Sequence, residues 1–370
     1  MSPSFAKEAR LDPGVVRGHL RPLRFSLTAF HWACRMTVTV PAEWAPHRAM
    51  WVGFPSHAEL WQEDLEQAQQ EVADLARALA GPGAERVRLM VVGDEAEAAA
   101  RALLSDTTVE IVRGQFGDIW LRDTGPIFVD DAGKAVAAGF KFNGWGGKYS
   151  LEGDDIVAEQ IAAASGAPLV RNDFILEGGA LDHDGNGTIL TTRQCLLNDN
   201  RNPGWDEATA NAALTEALGA KKVLWLGKGL KNDHTDGHVD NLARFVAPGV
   251  VACPMGYGLD DPNADIYGDT AKMLAGMTDS RGSPLQVVRI PSPGKLLDED
   301  GEPIPASHMN FLIANEAVIV PIYAEESGAF AVEVIKGLFP ERQVIGLPST
   351  AILTGGGSFH CISQQEPETA

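Results

Sequence analysis

The sequence predicts an α/β protein made of repeated modules, each an antiparallel hairpin followed by a helix, grouped around one centre. Two observations carry this reading. Hairpin signals recur every ~50–70 residues, with helical stretches between them. Short polar motifs that set a carboxylate beside glycine or a turn stand at the mouths of these units. That pattern is expected when equivalent units each lend a loop to a shared site.

Composition narrows the function classes. The chain has 370 residues, 45% hydrophobic and 22% charged, ample for a large core. Thirty basic against fifty acidic residues give a net charge of −20. Such a field repels nucleic acid and anionic membranes and favours cationic ligands. No apolar run approaches the ~18 residues of a spanning helix. Cys34, Cys195, Cys253 and Cys361 lack CxxC spacing, so neither a zinc site nor a disulfide framework is expected. A reducing, cytoplasmic setting fits.

Residues 1–35 stand apart from the rest. Lys7, Arg10, Arg17, Arg21, Arg24 and Arg35 face only Glu8 and Asp12. The stretch FSLTAFHWAC is broken by Thr28 and His31 and lacks a cleavage site, unlike a secretory signal. We read it as a disordered basic leader, with Met36 as the initiator of a single catalytic domain over 36–370.

An aromatic and proline cluster (Trp44, Trp51, Phe54, Trp61) precedes an amphipathic helix at 62–79. Its apolar positions Leu65, Ala68, Val72, Leu75 and Leu79 repeat at helical spacing, and its first turn is acidic, as the helix dipole favours. Gly81-Pro82-Gly83 ends it. A buried strand is predicted at 87–92, a helix at 95–104 and a strand at 109–112. Hairpins follow with turns at 130–133, 184–187, 248–249 and 315–316, and helices at 206–218 and 325–338.

The polar motifs are Arg122-Asp123-Thr124-Gly125-Pro126, Glu177-Gly178-Gly179 and the run HTDGHVD at 234–240. Any one such carboxylate is most often a turn or cap residue. Three placed alike, with a cysteine delivered by Gly355-Gly356-Gly357, point to one site. Taken alone, Cys361 reads as a small buried apolar residue, in a strand-like stretch at 358–362. Two metal patterns fail. His234 and His238 are four apart, but Thr235 replaces the glutamate of HExxH and Gly237 discourages helix. Asp182, Asp184 and Asn186 begin like a calcium loop whose closing position is Arg193. His360 is expected to point away from its strand neighbour Cys361. His238 is the better base, with Asp240 on the same face of a strand.

A cysteine, a histidine and several carboxylates suggest covalent catalysis on a cation. A thiol with a pKa near ~8.5 needs local positive charge to ionise, and a bound guanidinium supplies it. That planar group matches carboxylates in bidentate fashion. Trp120 and Trp145 suit packing against methylenes or a distal ammonium.

RDTGP, LEGG, TDGHVDNLARF and GGGSFHCISQQEP resemble the agmatine deiminase family, within a guanidine-modifying superfamily that includes bacterial-type peptidyl-arginine deiminases. PAEWAPH, FNGWGGKY, LLNDNRNPG and NFLIANEAVIVPIY are similar to it too. The resemblance covers residues 36–367. It implies a five-bladed α/β propeller (the pentein fold) of ββαβ modules. It also implies Cys361 as nucleophile, His238 as general acid/base, and Asp123, Glu177 and Asp240 gripping the guanidinium. Trp120, Asp118, Trp145 and Gly356 complete the expected substrate contacts.

The implied reaction is hydrolysis of agmatine to N-carbamoylputrescine and ammonia through an amidino-cysteine, on a route to putrescine and the polyamines. No metal or organic cofactor is expected. The partners expected are a small cationic guanidine and, at most, a second copy of the chain, with no nucleic acid and no membrane. A deiminase of peptidyl-arginine, free arginine or another guanidine, an amidinotransferase, and a non-catalytic binding protein on the same fold remain open at this point.

Overall fold

The structure, a computed structural model, describes residues 38–369. The expected leader and initiator lie outside the described residues. Among the described residues five separate sheets carry the fold. The second to fifth blades repeat one plan: a first strand, a middle strand antiparallel to it, a helix, and an outer strand parallel to the middle one. In chain order these are Ile127–Asp131, Ala135–Lys141, Val157–Ser165 and Leu169–Ile175. Then come Leu181–His183, Thr188–Thr192, Glu207–Leu218 and Lys222–Leu226. Next are Arg244–Ala247, Val250–Met255, Ala264–Ala275 and Gln286–Pro291. The last set is Leu312–Ile313, Ala317–Ile322, Glu325–Leu338 and Gln343–Pro348. The helix is what makes the parallel pair possible, since such strands need a long crossover.

The remaining blade closes the ring. Its middle strand His47–Gly53 is followed by the helix Leu65–Ala80 and the parallel strand Val87–Val91. Its first strand comes from the other end of the chain, Ser363–Pro367, antiparallel to His47–Gly53. The result is the five-bladed α/β propeller that the sequence implied. Middle strands run through the core, so Ala317–Ile322 reads AVIVPI with five of its six residues buried. The helix Leu65–Ala80 buries Ala68, Val72, Leu75 and Leu79, the stripe that its spacing predicted.

One feature of this plan positions the site. A short helical turn stands immediately before each first strand: Leu121–Thr124, Gly178–Ala180, Val239–Asn241, His308–Asn310, and a turn over 358–362. Two expectations are corrected here. Residues 358–362 are a turn and not a strand, because the Ile362 amide donates to the Ser358 carbonyl at 3.2 Å and the His360 amide donates to Asn310. His238 and Asp240 do not share a strand face either. His238 caps a 3₁₀ turn that carries Asp240, so the two side chains take different partners.

Candidate active site

Two of these turns, Leu121–Thr124 and that over 358–362, reach a cavity of about 390 Å³ through Asp123 and Cys361, and the other three pack against them. Cys361, Asp123, Asp118, Trp120, Trp145 and Gly356 line it, together with Trp61 and Tyr149. His238, Glu177 and Asp240 are buried just behind this surface.

Cys361 is almost fully buried at the cavity floor. The Asn310 amide donates to Sγ at 3.1 Å, and the thiol lies 3.5 Å from Asp240 Oδ2. Burial pushes the Cys361 thiol well above its ordinary range, and the Asp240 and Asp123 carboxylates push it further. Both effects favour the protonated form of this thiol. Gly355 and Gly357 pack on indoles: a Cβ at Gly357 would meet Trp120 Cζ3 at 2.5 Å, and one at Gly355 would meet Trp61 Cη2 at 2.7 Å. Gly356 has φ of +105°, which side chains avoid.

Asp123 accepts from Trp145 Nε1 and from the Gly179 amide, both at 2.9 Å. Gly179 has to be glycine, since a Cβ there would stand 2.6 Å from His238 Nδ1. Burial raises the Asp123 carboxyl against the pull of His238. Asp240 is fully buried yet held below its usual range, because the His360 hydrogen bond at 2.9 Å and nearby positive charges outweigh burial. His360 therefore points at the acid beside the thiol, and its other nitrogen lies 3.4 Å from Glu43.

Neither ring nitrogen of His238 has an oxygen or nitrogen partner at hydrogen-bond distance among the described residues, and the Cys195 thiol is the side chain that engages the ring. Nδ1 faces Asp123 at 3.7 Å, and Nε2 faces Glu177 at 4.0 Å. Burial opposes its charge, but the surrounding acids, Asp123 foremost, hold its pKa well above the ordinary value. Glu177 is held by Arg201 at 2.6 Å with both side chains buried, so it does not line the cavity. Glu177, Cys195 and His238 offer three atoms with metal-ligand chemistry within 4.8 Å of one another. The adjacent Arg201 guanidinium opposes a cation there. The calcium-like loop is self-satisfied, with Asp184 accepting from the amides of Asn186 and Thr188.

Asp118 sits farther up the wall, gripped by Trp120 Nε1 at 2.6 Å and Trp61 Nε1 at 3.1 Å. Burial raises its pKa to about 6. Sequence reasoning missed Asn310 and Trp61, which the structure brings to Cys361 and to the cavity wall. Asn310 was legible in the repeat: Asp123, Glu177, Asp240, Asn310 and Cys361 all stand two to four residues ahead of a first strand. Trp61 had only composition behind it.

A five-bladed propeller with polar groups gathered at its hub defines the pentein class. The chain belongs to the Porphyromonas-type peptidyl-arginine deiminase family, whose pattern matches residues 39–367. It is 37% identical over 354 residues to the agmatine deiminase of Stutzerimonas stutzeri, covering 89% of this chain and 95% of that one. It is 36% identical over 352 residues to that of Pseudomonas aeruginosa, with the same coverage. Among solved structures it is similar to the agmatine deiminase of Enterococcus faecalis, with TM-score 0.84 and 32% identity over 90% of this chain and 96% of that one. A substrate-bound agmatine deiminase of C. jejuni superposes with TM-score 0.81 at 27% identity, covering 90% and 97%. An amidinotransferase from Microseira wollei, at 12% identity and TM-score 0.51, shares the fold alone.

Proposed function

We propose that this protein hydrolyses agmatine to N-carbamoylputrescine and ammonia. The observation that carries the substrate is the cavity wall. Glu63, Asp64, Asp118 and Asp123 line it with four aromatic side chains, and no arginine or lysine is among its described lining residues. Agmatine is a dication and fits. Free arginine adds an α-carboxylate, which would enter an acidic wall without a cationic partner at a cost of several kcal/mol.

The guanidinium lies over Cys361 against Asp123 and Asp240, and the methylenes lie between Trp61, Trp120 and Trp145. The distal ammonium reaches toward Asp118. Binding the cation beside Sγ offsets the charges that hold the thiol protonated, so the thiol releases its proton to solvent when substrate is present. The thiolate attacks the guanidine carbon and forms a C–S bond. His238 gives its proton to the departing nitrogen, the C–N bond breaks, and ammonia leaves an amidino-cysteine. His238, now neutral, takes a proton from water as its oxygen adds to the same carbon. The C–S bond then breaks, releasing the ureido product and the thiol. Glu177, held by Arg201, and Asp123 keep the imidazole charged between turnovers. Reaction through a reduced cysteine agrees with a cytoplasmic setting.

The test is kcat/KM for agmatine, arginine and arginine-containing peptides at one pH and ionic strength. Agmatine is expected to lead arginine by ~100-fold or more; parity would remove agmatine and leave a deiminase of another guanidine. Asp118 adds a pH signature. Its carboxyl is charged above pH about 6 and neutral below, so KM for agmatine should rise as pH falls through that value. In Asp118→Asn, KM should be high throughout and lose this step.

A further inference from the structure

Beside His238, outside the cavity lining, stands a second buried thiol that the proposed reaction does not use. Cys195 lies in the short helix Arg193–Leu196, which the Thr192 hydroxyl caps by accepting from the Cys195 amide at 3.2 Å. Its side chain is wholly buried and lies within 4.8 Å of both a His238 ring nitrogen and a Glu177 carboxylate oxygen. Nothing else in the pocket is a good acceptor for Nε2–H. Glu177 is 4.0 Å away, beyond hydrogen-bond range, and its other oxygen is taken by Arg201.

We propose that Cys195 is a positioning residue for His238: its sulfur accepts from Nε2–H of the imidazolium and fixes the ring with Nδ1 toward Asp123 and the substrate. This rests on the reading of His238 as the group that shuttles the proton. Burial pushes the Cys195 thiol above its ordinary range, against the pull of His238. A sulfur acceptor is weak, which suits a ring that gains and loses a proton in every cycle. The charged groups facing His238 are Asp123, Glu177 with Arg201 behind it, and Asp233 and Asp240 from its own segment. They set the charge of the ring, but Nε2–H has no aligned oxygen acceptor among the described residues, and this is the role left to the thiol.

The experiment compares Cys195→Val, which fills the space without an acceptor, with Cys195→Ser, which keeps one. His238 is titrated by ring NMR in the substrate-free enzyme, and kcat and KM are measured for agmatine. In Cys195→Val, kcat should fall ~10-fold with KM within ~2-fold, and the His238 midpoint should move down by roughly half a pH unit as the imidazolium loses a partner. Cys195→Ser should restore both. An unchanged His238 midpoint in Cys195→Val overturns the proposal, as does a serine variant as impaired as the valine one, which would mean packing alone. Cys195→Ala carries the same measurements if the valine side chain prevents folding. The NMR arm needs no turnover, so a chain inactive on every guanidine would remove the functional reading while the role of Cys195 is still decided.

Discussion

Cys361→Ser is expected to lower kcat on agmatine by ~10⁴-fold or more while leaving the substrate bound. The hydroxyl can keep the Asn310 contact that now holds Sγ at 3.1 Å, so the cavity should survive. Chemistry should not. A thiol under the fields of Asp240 and Asp123 still ionises when a guanidinium arrives, whereas a hydroxyl in the same place stays protonated. Calorimetry with agmatine separates the two effects. Binding without turnover is the expected result, and a serine variant with wild-type turnover would mean that the nucleophile lies elsewhere.

The second large effect is expected from Asp240→Asn. Asp240 is the carboxylate 3.5 Å from the thiol, and it is held ionised by His360. Neutralising it removes a guanidinium partner and leaves His360 facing an amide, so kcat/KM should fall by ~10²–10⁴. The same variant should make Cys361 easier to ionise, because the charge of Asp240 is one of the forces that push the thiol up. Iodoacetamide should therefore alkylate Cys361 faster in Asp240→Asn than in the wild type at neutral pH. For wild type, the rate should still be climbing at pH 9.0, because burial and both carboxylates hold the thiol well above that value. Slower alkylation in the variant would reverse the sign of this electrostatic account.

Much of the fold was legible because its modules repeat local signals. The turns at 130–133, 184–187, 248–249 and 315–316 all fall between paired strands. The helix at 325–338 matches Glu325–Leu338. The helices Val157–Ser165 and Ala264–Ala275 were not singled out. The first is rich in alanine, which helices accept on any face and which gives little apolar contrast.

The geometry within the site was harder to read. The spacing of His238 and Asp240 suggested a shared strand face, but the 3₁₀ turn sends Asp240 to His360 and Cys361. Adjacency in a strand likewise argued against His360, whereas the turn at 358–362 aims it at the acid next to the thiol. Glu177, expected against the guanidinium, is buried next to His238, and nothing in its local sequence announces that Arg201 holds its carboxylate from a loop 24 positions along the chain. Such partners depend on how the blades meet at the hub, and no local pattern encodes that.

The measurement that tests the central claim most directly is rapid acid quench of the enzyme turning over agmatine, followed by mass spectrometry of its peptides. The account predicts an adduct equal to agmatine less ammonia, on the peptide carrying Cys361 and on no other cysteine. Turnover with Cys361 unmodified at every quench time, or the adduct on Cys195 or Cys253, would contradict it.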